Sequence, residues 1–204
     1  MDLVEYLSRV FLVLRKTTLF SIIRKLLKKE RDYGFVDTWV LVNTIASAIF
    51  SLMTLQGCLG YLGVLICLYS CYRVLEILIY QINVVFFDWY RRRGSLLPYR
   101  VKNLIRSNIL VMFNFAEIMF WFTITYKLLG IRPSSYNAGY LTYLLMSLSV
   151  MTGYGIVLPD VVNPLAMVVV LIHGLIGIFL MLVVIARFVS MIPPIAELPE
   201  GVAS

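Results

Sequence analysis

The chain has 204 residues, 61% of them hydrophobic and 14% charged, with a mean hydropathy of +0.89, whereas soluble domains lie nearer about 45–50% apolar and about 25% charged. One small core cannot hide that excess, so an ordinary soluble domain is excluded and lipid becomes the solvent for most of the chain. The net charge of +7 fits Lys and Arg gathered in short loops beside anionic lipid rather than a nucleic-acid surface. Three cysteines without metal-type spacing and a single histidine, His173, argue against both structural zinc and a disulfide framework.

The apolar segments are long and continuous rather than alternating, which selects helices over a closed barrel. Residues 1–31 make a poor span, because Arg9, Arg15, Lys16, Arg24, Lys25, Lys28 and Lys29 interrupt every window. Leu19, Ile22, Ile23 and Leu26 recur at helical spacing, so the segment reads as a basic amphipathic helix lying in the membrane interface against anionic lipid. The alternative is a solvated helix packed on a partner. With Asp2 and Glu5 at its start and cations breaking its apolar stretch, it does not read as a cleavable signal peptide.

Residues 32–103 hold two spans and a basic loop. The first span runs from about Phe35 to Leu55 and a turn follows over Gly57 to Gly60. The second runs from about Tyr61 to Phe87 and carries Arg73 and Glu76 on one helical face. Charges at bilayer depth cost about 2.5–3.5 kcal/mol each unless paired. The two therefore read as an intramembrane ion pair, either a structural link between helices or a gating element. The loop contains Arg91, Arg92, Arg93, Arg100, Lys102 and Arg106, with Pro98 breaking any helix through it.

Residues 104–191 begin with a third span, about Leu104 to Tyr126, whose Asn108, Asn114 and Glu117 should face protein rather than lipid. A loop over 127–137 follows, and Asn137 is placed to cap a helix over about 138–150. That helix is too short to span, and apolar stretches of this length are often re-entrant. It leads into Thr152-Gly153-Tyr154-Gly155. The last span covers about Leu165 to Met191. Residues 192–204, with Pro193, Pro194 and Pro199, form a short tail. Four spans put both termini on one side, together with the basic helix and the Arg91 loop. The positive-inside rule makes that side the cytoplasm of a plasma-membrane protein. The expected fold is thus all-α: four transmembrane helices, an N-terminal interfacial helix, and a re-entrant pore helix with a filter loop between the third and fourth spans.

A dehydrated cation needs a ring of oxygens in place of its water, and backbone carbonyls supply them only from an unusual conformation that glycine permits. The tripeptide Gly153-Tyr154-Gly155 is a weak signal alone. A short apolar helix before it, Pro159 after it and a final long span make it stronger.

The run Ser147-Leu148-Ser149-Val150-Met151-Thr152-Gly153-Tyr154-Gly155-Ile156-Val157-Leu158-Pro159 resembles the filter segment of potassium channels, whose usual form is T-x-x-T-V-G-Y-G-D-x-x-P. Leu175-Ile176-Gly177 and Ile185-Ala186-Arg187-Phe188-Val189 resemble the inner helix of small prokaryotic ion-channel-domain proteins, which read A-L-I-G and V-A-R-L-V at the same spacing. The resemblance covers about residues 104–190. It implies a homotetramer around one pore, with permeant potassium ions and no other cofactor. Ion-coordinating carbonyls would come from Met151, Thr152, Gly153, Tyr154 and Gly155, Tyr154 would brace the loop from behind, and the inner gate would lie near Ile185 to Val189. Gly174 or Gly177 would be the hinge, unless they are close-packing glycines. His173 either lines the pore and senses pH or is a packed histidine.

Met151 stands where the family has threonine, Thr152 where it has valine, and Ile156 where it has an acid. Either the innermost ion site is lost or the chain shifts so that Thr152 supplies the hydroxyl. With Arg73 as the only arginine in the second span, strong voltage sensing is not expected. The sequence therefore reads as a potassium-type cation channel subunit. The alternatives are a weakly selective cation channel and a non-conducting tetraspan scaffold or accessory subunit. An enzyme is not expected, because His173 has no acidic partner at helical spacing and no Gly-x-Ser-x-Gly elbow is present.

Overall fold

A computed structural model describes residues 2–29, 32–58, 60–92, 104–134, 139–161 and 163–190. Four helices are long and apolar enough to cross a membrane: Tyr33–Leu55, Leu62–Phe87, Ile105–Leu128 and Pro164–Val189, of 23 to 26 residues. At 1.5 Å per residue each covers about 35–39 Å, more than the roughly 30 Å hydrocarbon core.

Local chemistry sets the helix ends. The helix Tyr33–Leu55, here α3, starts where the Asp32 carboxylate accepts from the N–H groups of Gly34 (2.9 Å) and Phe35 (3.4 Å). The helix Leu62–Ile82 (α4) runs into a π-helical turn, Asn83–Phe87, and a short α5, Asp88–Arg92. The helix Leu104–Leu128 is α6. The helix Pro164–Val189, α8, begins with Pro164 in its first turn while Asn163 Oδ1 accepts from Ala166 N–H at 2.7 Å.

α6 is the central element, and α3, α4, α8 and the short α7 (Tyr140–Thr152) all pack on it. Val111, Ile118, Trp121 and Ile124 of α6 have no exposed surface. α3 meets α6 through a stripe of small and polar residues, Val40, Thr44, Ser47, Ser51 and Thr54, all buried. Small side chains let helix backbones approach in lipid, where apolar surface alone gives no preference for protein. The hydroxyls bond backbone carbonyls of their own helix, as Thr44 Oγ1 does to Val40 O at 2.9 Å.

Side-chain clamps tie the helices at one end. Arg187, near the end of α8, donates to Ser107 Oγ (2.6 Å) at the start of α6 and to Gln81 Oε1 (3.1 Å) at the end of α4. Arg106 pairs with Asp37 at 2.6 Å. The spans therefore alternate in direction, and the two ends of the described chain lie at the same end of the bundle.

The N-terminal segment is two helices rather than one. α1 (Leu3–Thr17) and α2 (Leu19–Leu26) break at Thr18, whose extended backbone (ψ 147°) lets its hydroxyl cap α2 at Ser21 N–H, 3.3 Å. α1 is docked on the bundle. Phe11 stacks on Phe87 (5.5 Å), Asn83 Nδ2 donates to Phe11 O (2.9 Å), and Arg91 donates to Ser8 Oγ (3.1 Å) and Ser8 O (3.2 Å). Leu3, Val13, Ile22 and Leu26 stay on the outside.

α7 has 13 residues, about 20 Å of helix and too short to cross. Its C-terminal end reaches about halfway along the 26 residues of α8, where Met151 O abuts Gly177. The chain then turns at Gly153 and returns beside α7, with Val157 N–H donating to Ser149 Oγ at 3.0 Å. Two antiparallel bridges close the hairpin where it entered, pairing Arg132 with Asp160 and Pro133 with Pro159. This hairpin begins and ends at the end of the bundle opposite the Arg187 clamp. The expected Asn137 cap, the loop cations from Arg93 to Lys102 and the proline tail lie outside the described residues.

Candidate functional site

The hairpin between α6 and α8 brings Met151 to Gly155 together at mid-length of the bundle. Gly153 has φ +70° and ψ +10° and Gly155 has φ +69°. Nothing lies within 4 Å of a Cβ built at either position, so backbone conformation and not space selects glycine there. Thr152 fastens the turn, donating to Leu148 O (2.8 Å) and accepting from Tyr154 N–H (3.4 Å).

Met151 and Thr152 are the last two residues of α7, not part of an extended strand. Met151 is fully buried, and its carbonyl faces Gly177 of α8. Tyr154 does not brace the loop from behind within its own chain, because its side chain is 78% exposed. The turn and the hairpin strand that follows, Gly153 to Leu158, carry no ionisable side chain except the Tyr154 phenol. The chemistry available is that of carbonyl oxygens at the C-terminal end of a helix. The last four carbonyls there lack intrahelical partners, and the helix dipole places partial negative charge on them.

Of the inner-helix residues, His173 has no exposed surface and turns toward α6. Its Nδ1 lies 2.6 Å from the Tyr126 hydroxyl, and its ring stacks on Phe122 at 3.8 Å with planes 6° apart. Within the chain His173 is therefore a packed histidine with a helix–helix hydrogen bond. Gly177 is a close-packing glycine: an added Cβ would sit 2.1 Å from Met151 O. A Cβ at Gly174 would meet only Val150 O at 3.8 Å, an ordinary contact.

Arg73 and Glu76 form the pair that their spacing indicates, through Arg73 Nη1 and Glu76 Oε2. No local sequence signal marks the third member. Glu117 of α6 takes Arg73 Nε at 2.7 Å and Nη2 at 3.2 Å, and also accepts from Trp121 Nε1 at 3.1 Å. All three charged side chains are buried. Glu76 also accepts at Oε1 from Phe20 N–H at 2.7 Å, while the Tyr72 hydroxyl accepts from Leu19 N–H at 2.6 Å. The N-terminal end of α2 therefore rests on the buried carboxylate, where the helix dipole offsets part of the negative charge of two Glu against one Arg.

Comparison with family models, with curated proteins and with solved structures returns no match for this chain.

Proposed function

We propose that four copies of the chain surround one pore and pass cations, potassium preferred, through the loop Gly153–Gly155. The observation that carries this reading is the hairpin. A helix too short to cross enters between two spans, stops at mid-length, turns on left-handed glycines and leaves by the end at which it entered. Irregular backbone at membrane depth is stable only where it lines a cavity or is covered by protein. Here the turn carries Tyr154 almost bare, so further copies of the chain are the natural cover. The outward face of α8 supports the same assembly. Leu165, Leu171, Leu175, Ile178 and Leu182 are each 58–63% exposed along it.

The negative end of α7 favours a cation over an anion at mid-depth, and carbonyl oxygens from four chains replace its hydration shell. The basic ends of the spans and α2 lie on the cytoplasmic side of the plasma membrane in this arrangement. A weakly selective pore of the same architecture is favoured by one specific observation: Met151 and Thr152 remain helical, which shortens the ladder of carbonyls beyond Gly153.

The test is ion flux from liposomes holding the purified protein, with potassium, sodium and chloride gradients applied in turn. Cation flux that disappears in Gly153→Val, while the protein stays folded and tetrameric, is the expected result. Chloride flux, or cation flux indifferent to Gly153→Val, would overturn the proposal.

A further inference from the structure

A second feature of the molecule lies away from the hairpin and does not depend on it. A cavity of about 700 Å³ opens between α2, α3, α4, α6 and α8 at the clamped end, a size typical of small-ligand sites, which hold roughly 300–1,000 Å³. Its walls present six cationic side chains against two carboxylates. Lys16 and Lys25 are exposed at its rim and form no ion pair among the described residues. Between the charged groups the lining is apolar, including Val36, Val40, Ile77 and Leu110.

The wall thus asks for an anionic head and an aliphatic body of a size that about 700 Å³ can hold.

We propose that this cavity binds a single-chain anionic membrane lipid of the lysophosphatidyl class. Its phosphate meets the Lys16 and Lys25 rim, and its chain lies along the apolar wall. Because α2 forms one side and its first turn also rests on Glu76, an occupant would fix the N-terminal segment to the bundle.

The experiment is native mass spectrometry of the detergent-purified full chain titrated with lysophosphatidylglycerol, and separately with lysophosphatidylcholine. The expected result is saturable binding of one lysophosphatidylglycerol per chain, about tenfold or more tighter than the zwitterionic lipid. The double variant Lys16→Glu/Lys25→Glu should lose that preference. Arg9→Glu/Lys28→Glu changes the charge of the same segment equally, outside the cavity lining, and should keep it. Equal binding of the two lipids, an equal effect of the two double variants, or no saturable binding would overturn the proposal. So would full competition by glycerol 3-phosphate, which would assign the cavity to a soluble phosphate ester.

Discussion

Gly174 and Gly177 lie one turn apart on α8 yet face different neighbours, and the difference is measurable. A Cβ at Gly177 would be driven into the Met151 carbonyl at 2.1 Å, and backbone cannot rotate away as a side chain can. Gly177→Ala should destabilise the protein by about 1–3 kcal/mol, the usual range for overpacking. Gly174→Ala should be neutral or stabilising by up to about 1 kcal/mol, since alanine is the better helix former. Thermal unfolding of the two variants in detergent checks the contrast. His173 gives a second expectation at this scale. Replacing it by Leu leaves the buried Tyr126 hydroxyl without its 2.6 Å partner, which should cost about 1–3 kcal/mol, read in the same unfolding experiment. The sequence left these residues ambiguous because helical spacing says which residues share a face, not which neighbour that face meets.

Among the elements, the buried Arg73–Glu76–Glu117 cluster joins α4 to α6 and holds α2 through Phe20. Glu117→Ala leaves the Arg73 guanidinium with one carboxylate in place of two, and removing one member of a buried ion pair costs about 3–5 kcal/mol. Loss of a compact, monodisperse protein on heating at temperatures the wild type survives is the expected readout. Glu76→Ala should act locally. Hydrogen exchange at Leu19 to Ile22 should rise well before exchange in α6, because α2 loses the acceptor of its first-turn N–H.

The long spans were legible from apolar length alone: the expected Phe35 to Leu55 and Tyr61 to Phe87 correspond to Tyr33–Leu55 and Leu62–Phe87. The pair Arg73–Glu76 was legible because its members lie three positions apart. Glu117 could be assigned a protein-facing position but not a partner, since 44 residues separate it from Arg73. Thr18 before the Leu19 to Leu26 run is a capping signal for the break, but continuous basic amphipathicity across residues 1–31 conceals it. The small-residue stripe Val40, Thr44, Ser47, Ser51 and Thr54 is also hard to read in the sequence, because it carries no charge and looks like any polar interruption of a span.

For the whole molecule, the order of third span, short helix, glycine turn and last span is legible in the sequence, and the structure packs these elements as neighbours in that order. What the sequence could not supply is how the turn is finished. Met151 and Thr152 stay in α7, because Thr152 bonds back to Leu148 O and Met151 is held against Gly177. Both contacts are specific to this chain's side chains and glycine placement. In the proposed pore they would bear on selectivity, since the carbonyls of the loop itself begin at Gly153 and those of Met151 and Thr152 stay with the end of α7. The measurement that tests the central claim most directly is the reversal potential of the reconstituted protein in a planar bilayer, with potassium on one side and sodium on the other, for wild type and Tyr154→Ala. Cation currents that reverse in favour of potassium and lose that preference in Tyr154→Ala are the predicted result. Currents whose reversal potential is the same in both proteins, or a folded tetramer that passes no current under any applied voltage, would contradict it.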